Sequence, residues 1–130
     1  MLILTIRTDK PEAEIGLFNG TKQLEYHSWQ AHRLLAETIH TTIKEVLKKH
    51  SLDWADIGGI VFYKGPGSFT GLRIGASVAN ALAQDGSLAL VCISGDDWVA
   101  QGVHTLLDGH NDKVALPDYG NASITTQQKK

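Results

Sequence analysis

The chain has one cysteine, no apolar run approaching a membrane span and no strong charge of either sign. A single cysteine excludes an internal disulfide and fits a reducing compartment. Lys and Arg number 12 against 14 Asp and Glu, for a net charge of −2. No global basic field therefore draws nucleic acid, and work on RNA would have to pass through a partner or a local patch. The N-terminus opens on the strand-like run Leu2-Ile3-Leu4-Thr5-Ile6, without a leader pattern. A cytoplasmic protein with no membrane attachment is expected.

Assembled catalytic or metal chemistry is also lacking. His27, His32, His40, His50, His104 and His110 show no ligand spacing. His32 and His40 are about 80° apart around a helix and too far along its axis to share an ion. Ser68 follows a glycine but lacks a Gly-x-Ser-x-Gly elbow. No basic residues interleave with Trp29, Trp54 and Trp98, so these read as packing or rim residues rather than a base-stacking platform.

What is present fits one domain of 130 residues, 42% hydrophobic and 20% charged. Strands are expected at 2–7, 13–18 and 21–26, with Asn19-Gly20 as a type I′ hairpin turn. A helical pattern covers 31–49. Then come a strand at 59–63, a helix at 70–84, a strand at 88–93 and a helix at 96–107. A short strand at 113–116 precedes a polar tail from Pro117, expected to be frayed. Tight turns make the first three strands antiparallel, and helical crossovers add parallel ones. The order βββαβαβα gives an α/β domain around a mixed five-stranded sheet.

Between the strand at 59–63 and its helix lies Gly65-Pro66-Gly67-Ser68-Phe69-Thr70-Gly71-Leu72-Arg73-Ile74-Gly75. Glycine there permits positive φ or close backbone approach, and Ser68 or Thr70 can cap the helix. By itself a Gly-rich loop is weak evidence for a phosphate site. This stretch, with its Ser-Phe-Thr insert, closely resembles the signature of the TsaB branch of the Gcp-like family. The agreement in element order extends over roughly residues 1–115. The resemblance implies a ribonuclease-H-like half of the actin-like ATPase fold, over residues 1–116, with the family's second domain missing and 117–130 as tail. The family motif loop comprises Gly65, Pro66, Gly67, Ser68, Phe69, Thr70, Gly71, Arg73 and Gly75, and in that family the glycines after residue 65 mainly serve the strand-to-helix turn.

The resemblance further implies a non-catalytic scaffold without cofactor. It would pair with TsaD as a heterodimer, or with itself as a homodimer when alone. TsaE would be a further partner by analogy. The complex makes threonylcarbamoyladenosine in tRNA, which the chain would meet only indirectly. Where the family reads Ile-Asp-Thr after strand one, this chain has Arg7, and Asp9 reads as a turn residue. Gly95 and Val99 stand where TsaD carries a histidine pair. The alternative is an actin-like phosphotransferase or hydrolase that binds ATP after dimerisation.

Two helices carry the expected partner surface. Leu34, Leu35, Ile39, Ile43, Val46 and Leu47 span an arc of about 180–220°, wider than one sheet contact needs. In the next helix Leu72, Ile74, Val78 and Leu82 point several ways, while Gly71, Gly75, Ala79 and Ala83 form a smooth face. Excess apolar helix surface marks association, and Leu35, Ile39, Ile43, Leu47, Ile74, Val78 and Leu82 are the candidates.

Overall fold

The computed structural model describes residues 1–120. Three antiparallel strands come first: β1 (Leu2–Arg7), β2 (Glu12–Asn19) and β3 (Lys22–Gln30). A 3₁₀ turn at His32–Leu34 leads into helix α1 (Leu35–Lys49). Strand β4 (Ile57–Tyr63), helix α2 (Phe69–Gly86), strand β5 (Ala89–Ile93) and helix α3 (Trp98–Leu107) follow. The sheet order is β3-β2-β1-β4-β5. Strand β1 is its pivot, with Leu4 opposite Leu17 in antiparallel β2 and Ile6 beside Phe62 in parallel β4. This is the mixed five-stranded sheet expected from the element order, in the ribonuclease-H-like form that the family resemblance implies.

Burial follows position. The central strands β1 and β4 are apolar on both faces because helices cover both sides. One face carries Leu4, Ile6, Ile15, Leu17, Ile60, Phe62 and Leu90, sealed by α1 and α2. The other carries Ile3, Val61, Tyr63 and Val91, sealed by Trp98, Val103 and Leu106 of α3. Strand β3 lies on an edge and stays half-covered.

Three local expectations and one larger one need correction. The hairpin loop is Gly20-Thr21, with Asn19 paired to Lys22, one residue on from the anticipated Asn19-Gly20. Gly20 takes the positive φ (60°), while Thr21 does not, so glycine leads the turn instead of following an asparagine. The strand at 113–116 does not form. Lys113 adopts a φ of 72°, which breaks an extended path. The tail does not fray at Pro117. Asp118 donates its N–H to the Lys64 carbonyl at 2.6 Å, and the Tyr119 ring centroid lies 4.6 Å from that of Phe69. The remainder of the expected tail, 121–130, lies outside the described residues.

The α1 surface is the larger correction. Leu35, Ile39, Ile43 and Leu47 are each at most 5% exposed and belong to the domain's own core. The wide arc is used internally, because α1 faces the sheet on one flank and α2 on the other. Only Leu34, at the helix start, remains well exposed, at 58%. Ile43→Lys should therefore abolish cooperative folding, since it buries an unpaired charge. Ile43→Ala should cost about 2–5 kcal/mol. Urea unfolding followed by circular dichroism separates the two; a folded Ile43→Lys chain would contradict this core.

The end of α1 is tied to β3 by Glu25, whose carboxylate accepts from Lys49 Nζ at 2.9 Å and lies 2.7 Å from His50 Nε2. Hydrogen bonding from Lys49 and then His50 holds Glu25 below the usual carboxylate range. A depressed folded pKa stabilises above the unfolded value, and the gain is lost as pH falls through the folded one. Glu25→Gln should remove this contribution to acid sensitivity, seen in urea midpoints between pH 7 and 3. At neutral pH it should cost no more than about 1 kcal/mol, as for other surface pairs.

Candidate functional site

The glycine-rich loop leaves β4 at the edge where β1 also ends. Gly65 turns the chain with a φ of 113°, and the Gly65–Pro66 peptide is cis. Ser68 donates its N–H to the Asp9 carbonyl at 2.8 Å, anchoring the loop on the β1–β2 connection. Of the two possible caps it is Ser68 that acts, its hydroxyl accepting from the Gly71 N–H at 3.3 Å.

The glycines after Pro66 have a packing role. A Cβ at Gly67 would strike Asp9, one at Gly71 the Thr8 carbonyl oxygen, and one at Gly75 the Thr8 hydroxyl. Helix α2 thus approaches the β1–β2 connection more closely than any larger residue allows. The spacing of four in Gly71, Gly75, Ala79 and Ala83 signalled a smooth face. Thr8 as its counterpart carried no signal of its own.

Arg7 stands on the neighbouring strand end. Its guanidinium lies 4.0 Å from the Tyr63 ring centroid and donates to Asp9 at 2.8 and 3.2 Å. The Asp9 hydrogen bond raises the Arg7 pKa further above its ordinary value. Asp9 is thereby spent within the fold. Among the described residues, no three His, Cys, Asp or Glu side chains converge as a metal site. Trp98 is buried against Tyr63, Trp54 stacks on His40, and the Trp29 indole N–H donates to the Thr38 hydroxyl at 3.0 Å.

Beyond the loop, α1 and α2 enclose a shallow groove lined by Ala36, Thr70, Arg73, Ile74, Ser77 and Val78. A second depression beside α2 is lined by Leu82 with His40 and Trp54. Ile74, Val78 and Leu82 pack against the core cluster yet stay half-buried. Phe69 is 54% exposed at the helix start, between Tyr119 and the Arg73 guanidinium. Of the candidate interface residues, the structure leaves the three on α2 accessible and encloses the four on α1.

Residues 28–125 match the family model described as TsaD, tRNA N6-adenosine threonylcarbamoyltransferase. The chain belongs to this Gcp-like family. Within it, the chain sides with TsaB. It is 32% identical over 103 residues to the tRNA threonylcarbamoyladenosine biosynthesis protein TsaB of Escherichia coli K12, covering 78% of this chain and 44% of that protein. Against the TsaB of Haemophilus influenzae Rd it is 34% identical over 87 residues, covering 63% and 37%. The chain thus spans less than half the length of these TsaB relatives. YeaZ from Pseudomonas aeruginosa superposes with a TM-score of 0.67 at 25% identity, over 72% of this chain and 43% of YeaZ. RuvC of Thermus thermophilus shares the fold, with a TM-score of 0.52 at 11% identity, over 92% of this chain and 86% of RuvC. Among the described residues, no helix of this Gcp-like chain is long and apolar enough to cross a membrane.

The contact between α2 and Thr8 yields a test. In an isolated helix, Gly→Ala gains about 1 kcal/mol. Here the collision with Thr8 should reverse the sign, and Gly75→Ala should cost about 1–3 kcal/mol. In a Thr8→Ala background most of that cost should vanish. A double-mutant cycle by urea denaturation measures the coupling; additive effects would mean that the two residues do not meet.

Proposed function

We propose that this chain is a non-catalytic scaffold subunit in the formation of threonylcarbamoyladenosine in tRNA. It docks on a TsaD protein through the outward flank of α2, centred on Ile74, Val78 and Leu82. One observation carries the reading: three large apolar side chains of a core helix stay only partly buried, Ile74 and Val78 at one groove and Leu82 at a second depression. A single sheet and α1 do not finish covering them, and such a surface marks association. Loop chemistry supports the non-catalytic part. The Ser68 and Gly71 N–H groups, which a phosphate cradle would need free, donate to Asp9 and Ser68 instead. TsaE is a further partner by the same family logic, and self-association through α2 is the expected state without TsaD. The tRNA is met through the complex, since the chain's net charge of −2 gives it no field of its own.

Light scattering after gel filtration tests this, with the chain alone and mixed with TsaD of the same organism. The native chain should form a heterocomplex. Ala36→Glu, at an exposed position on the groove, and Val78→Glu should each weaken it at least about tenfold, since an unpaired carboxylate would be desolvated at the contact. Circular dichroism checks that each variant folds. If the native chain never joins TsaD, the scaffold reading fails. If both folded variants bind like the native chain, the docking surface lies elsewhere.

A further inference from the structure

Strand β5 ends the sheet, so one side of it faces away from β4. Its sequence, Ala89-Leu90-Val91-Cys92-Ile93, is apolar, uncharged and free of proline. An edge of that kind is a template for pairing with another strand. Here it is occupied without a strand. The Asn111 amide oxygen accepts from the Leu90 N–H at 3.1 Å, and the Asp112 carboxylate accepts from the Cys92 N–H at 2.9 Å. Between them, the Asp112 N–H donates to the Leu90 carbonyl at 2.7 Å. Two side chains and one peptide thus satisfy three successive outward groups that a neighbouring strand would otherwise take.

The segment after the cap is held in place. Asn80 of α2 grips Ala115 from both sides, accepting from its N–H at 2.6 Å and donating to its carbonyl at 3.2 Å. The Cys92 thiol lies under the same segment, 3.6 Å from the Val114 carbonyl. Left-handed Lys113 ends the approach to β5 after Asp112, so the cap stops short of becoming a strand with an open outer edge of its own.

We propose that Asn111 and Asp112 form a side-chain cap that closes a strand-addition edge on β5, and that the uncapped edge accepts β5 of a second copy of this chain. This surface is separate from the flank of α2. The occupant follows from the strand itself: an identical strand offers the same short, apolar, uncharged run and the same unpaired backbone groups, so two uncapped edges are mutually complementary.

Hydrogen exchange by NMR and light scattering test the cap, using Asn111→Ala with Asp112→Ala in an Ala36→Glu background that disables the groove. With the cap present, the Leu90 and Cys92 amides should exchange slowly. In the double variant at low concentration they should exchange at least about tenfold faster, with Val91 little changed. As concentration rises, the double variant should dimerise and the two amides should regain protection. Asp112→Asn keeps an acceptor and should preserve slow exchange at Cys92, whereas Asp112→Ala should not. Unchanged exchange at both amides, or a double variant that stays monomeric at high concentration, would overturn the proposal. Should the double variant fail to fold, the single Asp112 pair decides it.

Discussion

The closeness of α2 to the β1–β2 connection is the constraint on which the rest of the domain depends. Thr8 presents its carbonyl and its hydroxyl to successive turns of α2, and only glycine at 71 and 75 leaves room for them. The Ser68 N–H to Asp9 carbonyl bond fixes the same approach one turn earlier. This contact pins the start of a long helix to the end of the central strand. The direction of α2 across the sheet then follows, and with it the faces available to α1 and to a partner. A motif that looks like a ligand loop is, in energetic terms, a close-packing joint.

That joint distributes the apolar residues of the two helices unequally. Small residues bring α2 down onto the sheet, and Leu72, Ala76, Ala79 and Ala83 are consumed there. Its larger residues, Ile74, Val78 and Leu82, sit on the flank, where α1 covers them in part. Helix α1 has no such stripe of glycine and alanine. It spends Leu35, Ile39, Ile43, Val46 and Leu47 on the core. Excess apolar arc was therefore a sound sign of two-sided packing, but it did not say whether the second side was internal. For α1 the second side is α2 and the sheet; for α2 part of it is open.

The strands, their order along the chain and the sheet type were legible because they rest on local periodicity and turn chemistry. The strand-like runs at 2–6, 59–63 and 88–93 and the turn signal at 19–20 marked the strands, but not which of them lie at the centre of the sheet and which at its edge. Two of the misses share one cause. Lys113-Val114-Ala115-Leu116 has strand-like composition, yet its path is decided by Asn80 gripping Ala115 and by side-chain bonds to β5 from Asn111 and Asp112. Those partners are distant in sequence, so no window of neighbouring residues contains them. The ordering of Tyr119 beside Phe69 was hidden for the same reason. The hairpin slip is different: both Asn19-Gly20 and Gly20-Thr21 satisfy local turn rules, and cross-strand packing chooses between them.

Charge at the strand ends bears on function in the same way. A phosphate-binding loop needs free donors and an uncompensated positive field. Here Arg7 supplies the positive charge, but Asp9 accepts two of its hydrogen bonds and Tyr63 faces its guanidinium. The loop supplies donors, but Ser68 and Gly71 spend theirs within the joint. An anion arriving there would have to break the contacts that hold α2 on Thr8, and so pay for its binding in fold stability. A surface that asks for no such rearrangement, the half-covered flank of α2, is the less costly place for this domain to act.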